Sequence, residues 1–162
     1  MSTKDFLKKI KDEDIEYVDV RFTDTRGKLQ HVTIVSDLVD EDFVEEGFMF
    51  DGSSIAGWKS IEASDMKLML DTDTAYVDPF YAEKTICVHC SVVEPDIGEA
   101  YERDPRGTAQ KAEAYLKASG IGDVAYMGPE AEFFLFDNVK FSNSINKAVS
   151  YTHLTLPTTV FV

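Results

Sequence analysis

The stretch that most constrains the fold is residues 128–136, Gly-Pro-Glu-Ala-Glu-Phe-Phe-Leu-Phe. Its aromatic and aliphatic residues predict a strand, buried in a core, over residues 130–136. Side chains alternate along a strand, so Glu130 and Glu132 would share one face, about 7 Å apart. Neighbouring buried carboxylates repel each other, and a divalent metal with oxygen ligands would offset them. The pattern alone therefore leaves two interpretations open, a metal site and a strand end whose two carboxylates face water.

The charge of the chain excludes several classes of partner. Its 162 residues carry a formal net charge of −14, which would repel nucleic acid and anionic membrane surfaces. Apolar runs stay well below membrane-spanning length, and the first residues lack the hydrophobic segment of a signal peptide. We therefore expect a cytoplasmic protein that binds neither nucleic acid nor membrane.

Two cysteines form a Cys-Val-His-Cys sequence that resembles a redox or zinc motif. Cys87 and Cys90 lie within an apolar run, residues 85–93, that predicts one continuous strand. Residues three apart on a strand point to opposite faces, so the two thiols could neither pair nor share a metal. We interpret them as structural cysteines and His89 as an ordinary strand residue.

Local signals predict helices and strands in a mixed order, which is typical of an α+β fold. A capping box at Ser2 opens a first helix, and Asp104 followed by Pro105 opens a longer one that Gly120 ends. A short acidic helix is predicted over residues 40–46. The predicted strands cover residues 17–22, 28–35, 67–70, 85–93, 124–127 and 130–136.

A loop rich in glycine and serine, residues 50–58, is a second chemical candidate. Its carboxylate, Asp51, lies between Phe50 and Gly52, where a flexible backbone could present it beside apolar side chains. Such an acid could serve as a general base or bind a cationic substrate. The alternative is ordinary turn formation, which Asp-Gly-Ser-Ser favours by itself. Taken alone, Trp58 predicts a core or interface anchor.

In combination, several motifs of this chain resemble bacterial-type (type I) glutamine synthetase. The resemblance extends without obvious gaps to about Lys147 and covers roughly the first third of a family member. The motifs that carry it are Arg-Phe-Thr-Asp-Thr at 21–25, Phe-Asp-Gly-Ser-Ser-Ile at 50–55, Gly-Trp at 57–58, Arg-Asp-Pro-Arg at 103–106 and Gly-Pro-Glu-Ala-Glu-Phe-Phe at 128–134.

The resemblance implies a domain organisation and a reaction. Residues 1–103 would form a β-grasp-like N-terminal domain, and residues 104–147 would form the truncated start of an α/β catalytic domain. Family members join ammonia to the side-chain carboxylate of L-glutamate, using ATP and two Mg²⁺ or Mn²⁺ ions, through γ-glutamyl phosphate. The expected function is therefore that of an ATP-dependent ligase of nitrogen metabolism.

The resemblance also assigns roles to individual residues. Glu130 and Glu132 would each help to hold one of the two metal ions. Asp51 would bind ammonium and remove its proton. In the family, the loop around Asp51 reaches into a neighbouring subunit of a dodecamer made of two stacked rings. The residues expected at that subunit interface are Phe50, Gly52, Ser53, Ser54 and Trp58.

The remaining metal, ATP and glutamate-binding residues of the family lie beyond this chain. Two glutamates cannot complete the octahedral coordination that Mg²⁺ demands, so we expect the chain alone to be inactive. Two alternatives to the ammonia ligase stay open. One is a related ligase that joins a larger amine to the γ-carboxylate of glutamate. The other is a stand-alone, non-catalytic binding or assembly module.

The character of the chain changes abruptly near its end. The ten residues 149–158, Val-Ser-Tyr-Thr-His-Leu-Thr-Leu-Pro-Thr, contain no Asp, Glu, Lys or Arg. They match one translated frame of a transposase sequencing adapter. We therefore expect that native sequence stops at Lys147, that residues 148–162 are an adapter-derived tail, and that His153 is no ligand. A natural strand is the alternative.

A test of the tail follows directly. Source DNA amplified across codon 147 is expected to continue in an open frame with further Glu, His and Arg motifs, because the adapter would have interrupted a longer gene. Sequencing that product is the measurement. A genomic stop codon after Val162 would contradict the adapter hypothesis and favour the stand-alone module.

Overall fold

The structure, a computed structural model, describes residues 1–154, and for residues 147–149 and 151–154 it describes the backbone alone. The chain divides into two compact units, the first spanning Met1–Val124 and the second beginning at Ala125. No helix in the described part of the chain is both long and apolar enough to cross a bilayer.

The first unit is one mixed five-stranded sheet with three α-helices. The strands follow the order β2-β1-β5-β4-β3, in which β1 and β5 are parallel and the other neighbours antiparallel. Its elements are α1 (Thr3–Asp12), β1 (Tyr17–Thr23), β2 (Leu29–Val35), α2 (Glu41–Glu46), β3 (Phe48–Asp51), β4 (Asp65–Asp78), β5 (Thr85–Val93) and α3 (Pro105–Ser119).

Both long helices begin as their capping residues predict. The Ser2 hydroxyl accepts a hydrogen bond from the Asp5 backbone N–H at 3.2 Å and donates one to the Asp5 carboxylate at 2.6 Å. Asp104 caps α3 and also accepts a bond of 3.0 Å from the backbone N–H of Val92, in β5. Because Asp104 is buried, this contact ties the start of α3 to the sheet. Gly120 ends α3 in the left-handed conformation, at φ 68°.

The hydrophobic core combines one face of the sheet with apolar helix side chains. Phe6 and Ile10 of α1 are buried in the same cluster as alternate residues of the strands. Full burial of such a side chain contributes about 1.5–3 kcal/mol. The buried strand residues of this cluster are Val18, Val20, Phe22, Met66, Leu68, Ile86, Val88, Cys90 and Val92.

The alternate positions of β1 carry a partly buried polar cluster, which we call the Asp19–Arg21 network. Asp19 has no exposed surface. It accepts hydrogen bonds from Arg21 Nε at 2.7 Å and Thr33 Oγ1 at 2.7 Å, and it faces His31 Nδ1 at 2.8 Å. Arg21 donates further to Asp78 Oδ2 at 3.0 Å. Every charge of this network therefore has a partner from another strand or a neighbouring position.

The two cysteines are unpaired and buried in β5, as the strand pattern predicts. Cys90 lies in the hydrophobic core, whereas Cys87 Sγ lies 3.7 Å from Asp78 Oδ2, beside the Asp19–Arg21 network. Burial raises the pKa of Cys87 to about 11 and that of Cys90 to about 12. Both thiols therefore stay protonated and unreactive at neutral pH.

The first two residues of the loop predicted over residues 50–58 belong instead to a strand that was not predicted. Residues 48–51 form β3 at the sheet edge, where Phe50 pairs with Met66 and Asp51 with Asp65. The partner strand β4 is much longer than the predicted 67–70, and its register shifts between Asp71 and Tyr76. Two of the four β4 residues that pair with β3, Asp65 and Met66, lie outside the predicted strand 67–70.

The second unit contains a hairpin of β6 (Phe136–Ser144) and β7 (Lys147–Leu154) among its described residues. The predicted strands at 124–127 and 130–136 are wrong, because residues 124–135 have no regular secondary structure. Phe133 and Phe134 are 77% and 75% exposed. A buried strand needs neighbouring strands and a covering layer, and the described residues of this unit supply only one hairpin. The origin of residues 148–162 stays a prediction.

Candidate functional site

The site candidate of the first unit is the Asp51 loop (residues 51–59), which leaves the sheet at the end of β3. The Asp51 carboxylate accepts three hydrogen bonds from within the loop. Oδ1 accepts from the Ser53 backbone N–H at 2.8 Å and from Ser53 Oγ at 2.6 Å, and Oδ2 accepts from Ser54 Oγ at 2.7 Å. These bonds, above all that from the Ser53 hydroxyl, lower the pKa of Asp51. Asp51 is exposed. Because its pKa is lowered, its carboxylate is ionised at neutral pH.

Gly52 lets the loop turn tightly against the sheet. Its backbone N–H donates to the Ser64 carbonyl at 2.7 Å, and the residue is buried. A Cβ at this position would overlap Met66 Cγ and lie 3.0 Å from the Ser64 oxygen. Since that oxygen belongs to the backbone and cannot move freely, the position requires glycine. The tight turn at Gly52 therefore sets the position of the preceding residue, Asp51.

Aromatic side chains form the floor beneath the loop. Phe22 lies 4.9 Å from Phe50 and 5.5 Å from Trp58 between ring centroids, and Trp58 lies 5.2 Å from Tyr101. Trp58 and Ile55 are buried in the core of their own unit. The part of the loop that remains exposed for any partner is its polar crest, made of Asp51, Ser54, Ala56 and Gly57.

Other residues that contact the loop have no signal in the sequence. Tyr101 donates a hydrogen bond from its hydroxyl to the Trp58 carbonyl, across 43 residues of chain. Glu94 binds Lys59 across 35 residues. Neither Tyr101 nor Glu94 belongs to a local pattern, so only the folded sheet brings them to the loop.

The predicted metal ligands belong to the second unit. Glu130 and Glu132 are exposed and lie in the segment without regular secondary structure. Their carboxylate oxygens are the ligand type that Mg²⁺ and Mn²⁺ prefer, so the donor chemistry fits. Two side chains fall short of six ligands, however, and no group of three or more His, Cys, Asp or Glu able to hold a metal occurs among the described residues. Further ligands would have to come from outside them.

Two family models match this chain in succession. The model described as "Glutamine synthetase, beta-Grasp domain" matches residues 14–95, and the model described as "Glutamine synthetase, catalytic domain" matches residues 102–159. The β-grasp fold expected for the N-terminal part is thereby confirmed.

Several curated relatives are similar along most of the chain. It is 78% identical over 138 residues to glutamine synthetase of Cereibacter sphaeroides, covering 85% of this chain and 30% of the relative. It is 72% identical over 141 residues to glutamine synthetase of Rhodobacter capsulatus, covering 87% and 32%. It is also 56% identical over 141 residues to 3-hydroxylaminophenol mutase of Cupriavidus pinatubonensis, covering 87% and 30%.

A solved structure shares the fold. The cryo-EM structure of Plasmodium falciparum glutamine synthetase superposes with a TM-score of 0.73 at 23% identity, covering 94% of this chain and 30% of that one. The chain thus spans only about 30% of the length of the proteins it matches. The two family models together match most of its residues, and the chain belongs to the glutamine synthetase family.

Proposed function

We propose that the full-length protein containing this segment joins ammonia to the side-chain carboxylate of L-glutamate at the expense of ATP. The observation that carries the proposal is the consecutive match to both domains of glutamine synthetase, with relatives of that name 78% and 72% identical. In this reaction the γ-phosphoryl group of ATP moves to the glutamate carboxylate. The ammonia nitrogen then attacks the carbonyl carbon, and phosphate leaves as glutamine forms.

We assign ammonium binding to Asp51. Its Oδ1 already accepts two hydrogen bonds, whereas Oδ2 accepts one and keeps a lone-pair position open. An ionised carboxylate with an open acceptor position attracts a small cation. The hydrogen bonds that lower the pKa of Asp51 also make it a weak base. Removal of the ammonium proton would therefore require a drier surrounding that raises this pKa, such as a neighbouring subunit could provide.

Glu130 and Glu132 would supply part of the metal coordination. Their oxygens suit a hard cation, and the other ligands would come from the remainder of the catalytic domain. Two Mg²⁺ or Mn²⁺ ions, when bound, would neutralise negative charge on the phosphoryl group as it is transferred. The two glutamates themselves would orient the ions and balance their charge.

The expected assembly is a dodecamer of two stacked rings in the cytoplasm. In this arrangement the polar crest of the Asp51 loop would complete the active site of the adjacent subunit. The burial of Trp58 and Ile55 in their own unit supports this role, because it leaves the exposed carboxylate on a well-supported loop. The net charge of −14 argues against nucleic acid as a partner.

A mutase activity towards 3-hydroxylaminophenol is the second candidate function, and one specific relative favours it. A protein called 3-hydroxylaminophenol mutase is 56% identical over 141 residues of this chain. An N-terminal segment of this kind therefore occurs in proteins that carry two different activity names. A larger-amine ligase and a stand-alone assembly module stay as the further alternatives from the sequence.

The full-length protein, supplied with glutamate, ATP, Mg²⁺ and isotopically labelled ammonium, is expected to form labelled glutamine. The 162-residue chain, assayed in parallel, is expected to form none, because its described residues contain no group of three or more side chains able to hold a metal ion. Mass spectrometry of the product is the measurement. Two further assays supply 3-hydroxylaminophenol alone or methylamine in place of ammonium. Consumption of 3-hydroxylaminophenol, with no glutamine formed in the first assay, would favour the second candidate. Incorporation of methylamine would favour the larger-amine ligase.

Replacing Glu130 or Glu132 by glutamine in the full-length protein is expected to raise the Mg²⁺ concentration for half-maximal activity about tenfold, equivalent to about 1.4 kcal/mol. Each change replaces a carboxylate by a neutral amide, a weaker ligand for a hard cation, while keeping the size of the side chain. Activity measured against Mg²⁺ concentration is the test, with Glu102→Gln, an exposed glutamate outside the motif, as the control. An unchanged Mg²⁺ requirement in both variants would refute the ligand assignment.

A further inference from the structure

We propose that Tyr101 is a positioning residue for Asp51, acting together with the Lys59–Glu94 ion pair by fixing the far end of the Asp51 loop. The inference rests on the proposed role of Asp51 in ammonium binding. Tyr101, Lys59 and Glu94 lie outside the motifs that carry the family resemblance, and Tyr101 and Glu94 belong to the segment that joins β5 to α3.

Tyr101 holds the loop through both its hydroxyl and its ring. The side chain is 4% exposed, and its hydroxyl donates to the Trp58 carbonyl oxygen at 2.9 Å. The Tyr101 ring meets the Trp58 ring edge to face, at 5.2 Å between centroids and 62° between planes. The hydroxyl thus satisfies a backbone carbonyl beside the core, where an unpaired group would be costly.

The neighbours of Trp58 are held by the same segment. Lys59 Nζ donates to both carboxylate oxygens of Glu94 at 2.7 Å and lies 5.3 Å from the centre of the Tyr101 ring. On the other side, Arg103 donates to the carbonyl of Gly57. Three consecutive loop residues therefore each have a separate contact with residues 94–103.

That segment is itself fixed to the sheet. The Tyr101 backbone N–H donates to the Val92 carbonyl at 2.9 Å, and Ala100 forms a bridge with Val93. The Asp104 carboxylate accepts a hydrogen bond from the Val92 backbone N–H at 3.0 Å. Because residues 100, 101 and 104 are all bonded to β5, the backbone of Tyr101 is fixed to the sheet while its side chain contacts the loop.

Successive backbone hydrogen bonds connect Trp58 to the catalytic carboxylate. The Trp58 N–H donates to the Ile55 carbonyl at 3.1 Å, and the Ile55 N–H donates to the Gly52 carbonyl at 3.2 Å. Gly52 directly follows Asp51. A loop released at Trp58 would lose the support of both turns, and the open Oδ2 position of Asp51 would no longer be held in one orientation.

The test is Tyr101→Phe in the full-length enzyme, which removes the hydroxyl and keeps the ring. We expect the KM for ammonia to rise about threefold to tenfold, the effect of one lost hydrogen bond, with the KM values for glutamate and ATP unchanged. Glu94→Gln, at a partly exposed ion pair, is a second variant that leaves the core untouched, and we expect a shift in the same direction. Tyr115→Phe, on an exposed face of α3, is the matched control.

A structural measurement accompanies the kinetics. Trypsin cleavage after Lys59 in the 162-residue chain is expected to be faster in Tyr101→Phe and Glu94→Gln than in the Tyr115→Phe control, because the loop end is released.

An unchanged ammonia KM in both variants, or an equal rise for all three substrates, would overturn the positioning role. Asp51→Asn in the same assay separates the two hypotheses. If that variant keeps normal ammonia dependence, the proposed function of Asp51 fails, and if it alone responds, only the positioning role fails.

Discussion

Replacing Arg21 by methionine is expected to lower the free energy of unfolding by about 3 kcal/mol, roughly a 100-fold change in the folding equilibrium. Methionine fills much of the same space but leaves Asp19 with no exposed surface and no cationic partner in β1. The Asp78 carboxylate loses the same guanidinium. Urea unfolding of the 162-residue chain, followed by the fluorescence of its single tryptophan, Trp58, is the measurement.

The matched control for this change is Lys8→Met. Lys8 forms an ion pair with Asp12 along the exposed side of α1, with 70% and 56% of the two side chains accessible. Since water screens such a pair, no measurable change is expected. An Arg21 variant as stable as the Lys8 variant would mean that the Asp19 charge is compensated without Arg21.

The stability difference caused by Arg21→Met is also expected to depend on pH. Burial alone would raise the pKa of Asp19, but hydrogen bonds from Arg21, His31 and Thr33 lower it below its ordinary 3.8. A group with a lowered folded pKa adds stability above its unfolded pKa and loses it as the pH falls through the folded value. Without Arg21 this contribution shrinks, so the difference between wild type and variant is expected to be largest at neutral pH and to narrow below about pH 4.

Replacing Asp51 by asparagine in the full-length protein is expected to lower kcat/KM for ammonia about 100-fold, the usual order for loss of an acid–base group. The amide oxygen can still accept from Ser53, so the loop is expected to keep its shape while losing the charge that attracts ammonium. Steady-state kinetics at varied ammonia, with glutamate and ATP saturating, is the measurement.

The control for the Asp51 prediction is its cross-strand neighbour. Asp65 pairs with Asp51 between β3 and β4 and is also exposed. Asp65→Asn removes an equal charge close by and is expected to leave ammonia dependence unchanged. If the two variants behaved alike, Asp51 would contribute only to the general negative potential, and its hydrogen bonds with Ser53 and Ser54 would serve the turn alone.

Elements specified by local signals were predictable from the sequence. The caps at Ser2 and Asp104 and the glycine at 120 define helix ends through hydrogen bonds to neighbouring residues, and the structure confirms them. The strand over residues 85–93 is likewise confirmed, because its long apolar and β-branched run favours a buried central strand.

Features that depend on distant partners were not predictable. β3 exists because residues 65–68 pair with it, and no property of Phe48 or Met49 indicates that register. The apolar run at 130–136 indicates burial correctly only if several strands cover it, and the described residues of its own unit supply one hairpin. The burial of Asp19 depends on Arg21, whose guanidinium is in turn held by Tyr76 and Asp78 of β4.

For the candidate site, the sequence indicated candidate side chains but none of the long-range contacts that support them. The role of Asp51 stays a prediction from its motif, whereas its bonds with Ser53 and Ser54 follow from ordinary turn chemistry. Tyr101 and Glu94 contact loop residues that lie 43 and 35 positions away in the sequence, and no local pattern encodes such contacts.

The position of β5 in the sheet governs the order in which the first unit can fold. β5 lies between β1 and β4, so the centre of the sheet is filled by the last of its strands to be synthesised. Until residue 93 has left the ribosome, β1–β2 and β3–β4 are two separate hairpins with an incomplete core, and isolated hairpins are marginal in water. The apolar surfaces of these strands therefore stay exposed during that interval, which favours aggregation of the nascent chain.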